Sequence, residues 1–191
     1  MYIEIFFLFL CFVFIHSLTA SRSFKNSLIT RLEITPETYR LGYNLLSIIS
    51  FLPFFLYWLT HRAESEVIVR FEGLALFLIF ILKFSGISIF LAAFVQSGIG
   101  SFLGLKKSRS RLFKEGLYGI VRHPQYLGGI IFMWASQLIS LLDFEVYLLL
   151  TLYLISGALL EENKLEDELE GYREYKKEVP FLIPLFSKGN R

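Results

Sequence analysis

Five apolar runs, at about 2–19, 41–60, 71–95, 125–142 and 144–160, each approach the roughly 20 residues that an α-helix needs to cross a bilayer. A backbone in hydrocarbon must satisfy its own hydrogen bonds, so runs of this length commit the chain to helices. The predicted fold is all-α and integral to the membrane: a single membrane domain over residues 1–191, with five transmembrane helices and a cytoplasmic C-terminal helical extension. The last two runs nearly abut, with only Asp143 and Glu145 between them, and read as a tight helical hairpin turning near Asp143. Arg22, the first basic residue, follows the first run rather than preceding it. That run therefore lacks the positive flank of a cleaved signal and reads as a retained helix.

Composition agrees. At 54% hydrophobic and 19% charged, the chain is too apolar for a disordered segment or a basic nucleic-acid-binding domain. Its single cysteine, Cys11, excludes an internal disulfide and a cysteine-based metal site. The three histidines lie on separate segments without ligand spacing, so no metal is expected. With five crossings, 16 of the 19 Lys and Arg residues collect on one side, Arg62 and Arg70 fall on the other, and Lys83 lies inside the third run. The positive-inside bias then places the N-terminus outside and the C-terminus in the cytoplasm, with most basic side chains at lipid headgroups.

Polar groups at or inside a membrane are costly to keep, and they mark where chemistry could reside. One such place is KEGLYGIVRHPQYLGG, residues 114–129. Pro124 suits a first helical turn and keeps His123 out of helical geometry, so a helix starts at the His-Pro pair. Its free N–H groups, beside Arg122 and His123, form a cradle for a carboxylate or phosphate, or else an ordinary interfacial anchor. Gly128 and Gly129 let a neighbouring helix or a flat ligand approach, and Tyr118 and Tyr126 offer faces to an aromatic base or a cation.

A second place is residues 158–184, where the fifth helix leaves the bilayer and continues to about Gly171. Ala158, Glu162, Leu165, Leu169 and Tyr172 recur at helical spacing, which turns Glu162 inward and leaves Glu161 on its flank. A carboxylate turned inward implies a partner: Arg122, His123 or the ammonium group of a ligand. The acidic and basic residues from Glu166 to Lys177 read as an exposed, ion-paired face. Lys83 either faces a ligand or pairs within the bundle. His16 reads as a helix–helix hydrogen bond or a proton acceptor, and His61 as interfacial. The stretch 97–107 is glycine-rich without a dinucleotide-binding spacing and reads as a flexible exit from the third helix.

The run Gly116, Tyr118, Val121, Arg122, His123, Pro124, Tyr126 and Gly128, then Glu161, Glu162 and Leu165, then Tyr172, Tyr175, Val179, Pro180, Ile183 and Pro184 resembles the isoprenylcysteine carboxyl methyltransferase and phospholipid methyltransferase superfamily. Residues 15–25, IHSLTASRSFK, and Gly104-Leu105 resemble the NnrU and methanethiol S-methyltransferase branch. Where that branch has Phe-Gly before the first tyrosine, this chain has Leu169-Glu170-Gly171-Tyr172. The resemblance implies S-adenosyl-L-methionine held by Tyr118, Arg122, His123, Pro124, Tyr126, Gly128, Glu161 and Glu162, in the region 114–129 plus 158–184. It makes Arg122, His123 and Glu162 the candidate catalytic residues at the cytoplasmic side. It further implies a small thiol or a lipid-like acceptor, with His16 and Lys83 as candidates for reading it. Two alternatives stay open: an NADPH-dependent enzyme like the sterol reductases, which share an R-H-P-x-Y-x-G motif, and a non-enzymatic NnrU-like membrane protein.

Overall fold

Hydropathy sets the long helices of the computed structural model, which describes residues 1–98 and 112–184. In chain order these are α1 (Tyr2–Ala20), α2 (Arg22–Leu32), α3 (Pro36–His61), strand β1 (Val67–Arg70), α4 (Gly73–Ser97), α5 (Pro124–Trp134), strand β2 (Leu138–Ser140), α6 (Leu141–Glu168) and α7 (Tyr172–Glu178). α1, α3, α4 and α6 are long and apolar enough to cross a bilayer. The expected exit 97–107 lies outside the described residues from 99 onward.

The described residues group into two compact units. The first holds Met1–Arg70 and Leu138–Leu149. Here α1 turns Ile5, Phe9 and Phe12 inward at helical spacing, and Phe9 meets Phe54 of α3 with ring centroids 5.4 Å apart. Residues 22–32, outside the five apolar runs, form α2, capped by the Ser21 hydroxyl accepting from Phe24 N at 3.3 Å. Thr35 caps α3 in the same way, accepting from Thr38 N at 3.1 Å. β1 and β2 pair antiparallel, Val69 opposite Ile139 and Arg70 opposite Leu138. α6 then starts with a reciprocal capping box: Asp143 N donates to Ser140 Oγ at 3.1 Å, and Ser140 N donates to Asp143 Oδ2 at 3.0 Å.

The second unit holds Phe71–Gly98 and the described parts of 109–137 and 150–191. In it α4 and α5 lie antiparallel in backbone contact, because Gly86 and Gly128 carry no side chains. A Cβ at Gly128 would fall 2.5 Å from Phe90 N and 2.7 Å from Gly86 O, and one at Gly86 would fall 2.6 Å from Phe132 N. α5 stops after Trp134, and Lys83 Nζ of α4 donates to the carbonyl of Ala135 at 3.2 Å, supplying one of the carbonyls left over at that helix end. α6 runs to Glu168. The chain then turns at Gly171, whose φ of +78° belongs to the left-handed region that glycine adopts without strain, and Tyr172 and Tyr175 of α7 bury against Val179 with Leu165 and Leu169 packed around them.

The expected fourth helix, 125–142, is corrected by this arrangement. Only Pro124–Trp134 is helical, residues 138–140 are strand, and Asp143 is the third residue of α6 rather than a hairpin turn. The stretch 135–142 contains neither glycine nor proline, and its one local signal is Ser140, which with Asp143 marks the start of α6 rather than the end of α5. What ends α5 is tertiary: a lysine ready for its last carbonyl and a strand partner from much earlier in the chain.

Candidate functional site

The second unit brings the two informative sequence regions together. His123, at φ −124° and ψ 62°, is the N-cap of α5, and Pro124 occupies its first turn, as the His-Pro pair dictates. Glu162 faces inward from α6 and is 1% exposed. Its Oε1 accepts from Arg122 Nε at 2.5 Å and lies 3.2 Å from His123 Nε2, while its Oε2 pairs with Lys176 Nζ at 3.1 Å. The partner implied for the inward carboxylate is therefore Arg122, His123 and, unforeseen from sequence, Lys176 of α7.

Arg122 is held by the protein through Nε and Nη1. Besides Glu162, its Nη1 donates to the carbonyls of Lys176 at 2.9 Å and Val179 at 2.5 Å, and its own N–H donates to Pro180 O at 2.9 Å. It gathers the free carbonyls at the end of α7 and ties the C-terminal segment to the Arg-His-Pro turn. His123 N donates to Phe181 O at 3.3 Å, and the Phe181 ring meets the imidazole edge-on at 5.0 Å. Burial pushes the pKa of His123 below the ordinary histidine value, against the opposing pull of the Glu161 and Glu162 charges.

Around this closed core lies a more open rim. Glu161 is exposed and accepts from the Tyr126 hydroxyl at 3.0 Å. The N–H groups of Gln125 and Tyr126, in the first turn of α5, precede the first intrahelical bond, which is donated by Leu127 N. Tyr118 sits on a single 3-10 turn, Gly116–Gly119, and its hydroxyl is bonded to Ser97; burial raises that phenol's pKa. The turn is gripped from α4: Gln96 Oε1 accepts from Leu117 N at 3.3 Å, and Gly116, at φ +61°, leaves room for the Gln96 side chain. Gln125 Nε2 donates to Ser97 Oγ at 3.2 Å. From α7, Tyr175 donates to Tyr118 O at 2.6 Å, with burial pushing its own pKa up to about 12. Gln96, Ser97, Gln125, Lys176 and Phe181 were missed from sequence, where only the polar Gln96-Ser97 pair ending an apolar run gave any signal.

Gly128 lies under Phe90 and Gly86, so its missing side chain serves the packing of α4 against α5. Lys83 is not brought to the Arg-His-Pro turn. It lies at the opposite end of α5, about 16 Å away along 11 residues, where it lines a groove of about 400 Å³ with Phe80, Phe84, Ile87 and Phe132. His16 belongs to the first unit, where it joins α1 to α3: Tyr43 donates to its Nε2 at 2.7 Å, and its Nδ1 lies 3.0 Å from Ser47 Oγ.

The chain belongs to the NnrU protein family, whose pattern matches residues 4–163 and so includes the Arg-His-Pro turn and both glutamates. It is similar to a methanethiol S-methyltransferase of a Pseudomonas species, 42% identical over 69 residues, which is 36% of this chain and 26% of the relative. Methanethiol S-methyltransferase 1 of Bradyrhizobium diazoefficiens is 41% identical over 69 residues, 36% of this chain and 24% of the relative. A methanethiol S-methyltransferase of Crocosphaera subtropica is 32% identical over 72 residues, 37% of this chain and 28% of the relative. The matched stretch thus spans about a quarter of these relatives' length. No solved structure matches the chain.

Proposed function

We propose that this protein is a membrane methyltransferase that uses S-adenosyl-L-methionine and methylates a small thiol. The observation that carries the reading is the division of labour between the two adjacent glutamates. Glu162 is consumed by Arg122, Lys176 and His123, whereas Glu161 is exposed beside Tyr126 and the first turn of α5. The relatives' names supply the reaction class and the thiol.

The residues fit the donor charge by charge. Glu161 suits an ammonium group or ribose hydroxyls, the first-turn N–H groups of Gln125 and Tyr126 suit a carboxylate, and the rings of Tyr118 and Tyr126 suit an adenine or a sulfonium. When bound, the donor supplies an electrophilic methyl group on a positively charged sulfur. The chain's share is then to orient that group, keep water away and manage one proton. Arg122, which the resemblance assigns to the cofactor, also holds the C-terminal segment beside the site. We place the site at the cytoplasmic face, with the N-terminus outside, on the strength of the basic-residue bias.

The test is calorimetric titration of the purified protein with S-adenosylhomocysteine and, in parallel, NADPH. Saturable binding of the first alone is expected, weakened at least tenfold in Glu161→Gln. Binding of NADPH alone would move the case to a reductase, and binding of neither would leave a non-enzymatic role.

A further inference from the structure

We infer that His123 is the base that takes the acceptor's proton, through its Nδ1 atom, and that Glu162 is the positioning residue that fixes the ring for this task. The inference rests on the methyltransferase reading and names the base that its thiol acceptor requires. A carboxylate held between the Arg122 guanidinium and the Lys176 ammonium accepts hydrogen bonds and does not donate them. Nε2 of His123, 3.2 Å from that carboxylate, therefore carries the ring proton, and the lone pair lies at Nδ1. Among the described residues no hydrogen bond ends at Nδ1, and no fully buried side-chain polar atom lacks a partner, so the 5% of His123 that stays exposed includes Nδ1.

The ring is faced by charges of both signs, and burial decides its form. Arg122 adjoins it, Tyr126 of α5 lies 5.5 Å away ring to ring, Glu161 and Glu162 face it from α6, Lys176 of α7 stands behind Glu162, and Phe181 closes one side without a titrating group. Burial outweighs the two glutamates and holds the imidazole unprotonated at neutral pH. In the transfer, the acceptor's S–H proton passes to Nδ1. The acceptor sulfur forms the new S–CH₃ bond with its freed pair, and the electron pair of the broken C–S bond stays on the donor's sulfur. A thiol needs this base, since its anion is the nucleophile; a carboxylate acceptor, anionic at neutral pH, does not.

The three histidines make the claim measurable. In the first unit, Ser47 gives its proton to Tyr43 O at 2.7 Å, so its Oγ accepts from His16 Nδ1–H. His61 Nδ1 donates to Tyr57 O at 2.9 Å. His123 is thus the one histidine predicted to be protonated at Nε2. In full-length protein labelled with ¹⁵N-histidine, read at pH 7, two Nδ1–H rings and one Nε2–H ring are expected, and His16→Gln and His61→Gln each remove one of the former. In Glu162→Gln, whose amide can also donate, the Nε2–H ring is expected to become a tautomer mixture. A His123 ring protonated at Nδ1, or at both nitrogens, in wild type that binds S-adenosylhomocysteine would overturn the assignment while leaving the proposed function standing. Failure of wild type to bind S-adenosylhomocysteine would overturn the proposed function, and the base with it.

Discussion

Asp143 and Glu162 are both buried carboxylates on α6, 2% and 1% exposed, and each faces an arginine, yet the networks around them end differently. Asp143 accepts from Trp58 Nε1 at 2.8 Å, Ser140 N at 3.0 Å and Arg62 Nε at 3.2 Å, and its own N–H is bonded back to Ser140. Every group there finishes on structure: a helix cap, an indole and an arginine that is 34% exposed and reaches solvent. Glu162 spends its capacity on Arg122 and Lys176 but also on an imidazole whose second nitrogen is left over. One buried acid closes a helix start, whereas the other hands its hydrogen bond on to a titratable ring. Burial alone does not identify a functional carboxylate; what lies at the far end of its network does.

Glu162→Ala is the largest perturbation, because it leaves Arg122, 8% exposed, without its carboxylate. A loss of about 3–5 kcal/mol is expected, read as a fall in unfolding temperature or a failure to accumulate. Asp143→Ala should cost less, about 1–3 kcal/mol, since Arg62 can turn to water and the main losses are one cap and one indole bond. Equal losses would erase the contrast between the two acids. Gly128→Ala must displace backbone atoms of α4 and should cost about 1–3 kcal/mol. Gly157→Ala, on α6 with nothing within 4 Å of the new Cβ, should leave stability unchanged or raise it by up to about 1 kcal/mol.

The smallest effect is a pH dependence whose sign is fixed. His123 has a folded-state pKa below its unfolded one, so the native state loses stability as pH falls through the ordinary histidine value near 6.5 toward the folded value. Unfolding temperature should therefore fall between about pH 7 and 5 in wild type, and fall less in His123→Gln. Identical pH slopes in the two proteins would show that His123 is not the buried neutral group described.

Hydropathy located α1 and α4 to within two residues at each end, the first at 2–19 against Tyr2–Ala20 and the second at 71–95 against Gly73–Ser97. Helical spacing from Ala158 turned Glu162 inward, and the His-Pro pair set the start of α5, so the pattern offered Arg122, His123 or a ligand's ammonium group as the partner of Glu162, and the structure supplies the first two. The rest was not, because it depends on contacts distant in sequence. The end of α5 at Trp134 needs Lys83 and the β1–β2 pairing. The engagement of Arg122 needs the carbonyls at Lys176 and Val179, and no residue-type pattern announces a carbonyl. Gly128 looked equally suited to a ligand or a helix, and only the position of Gly86 and Phe90 decides for the helix.

The most direct test of the account is transfer of a labelled methyl group from S-adenosyl-L-methionine to methanethiol by purified wild type, His123→Gln and Glu161→Gln, with Gly157→Ala as a control. The account predicts methylated thiol from wild type and Gly157→Ala, and at least a hundredfold less from His123→Gln, since a general base contributes about 10²–10⁴ in rate. Product formed equally by wild type, His123→Gln and Glu161→Gln, or none from a wild type that binds S-adenosylhomocysteine, would contradict it.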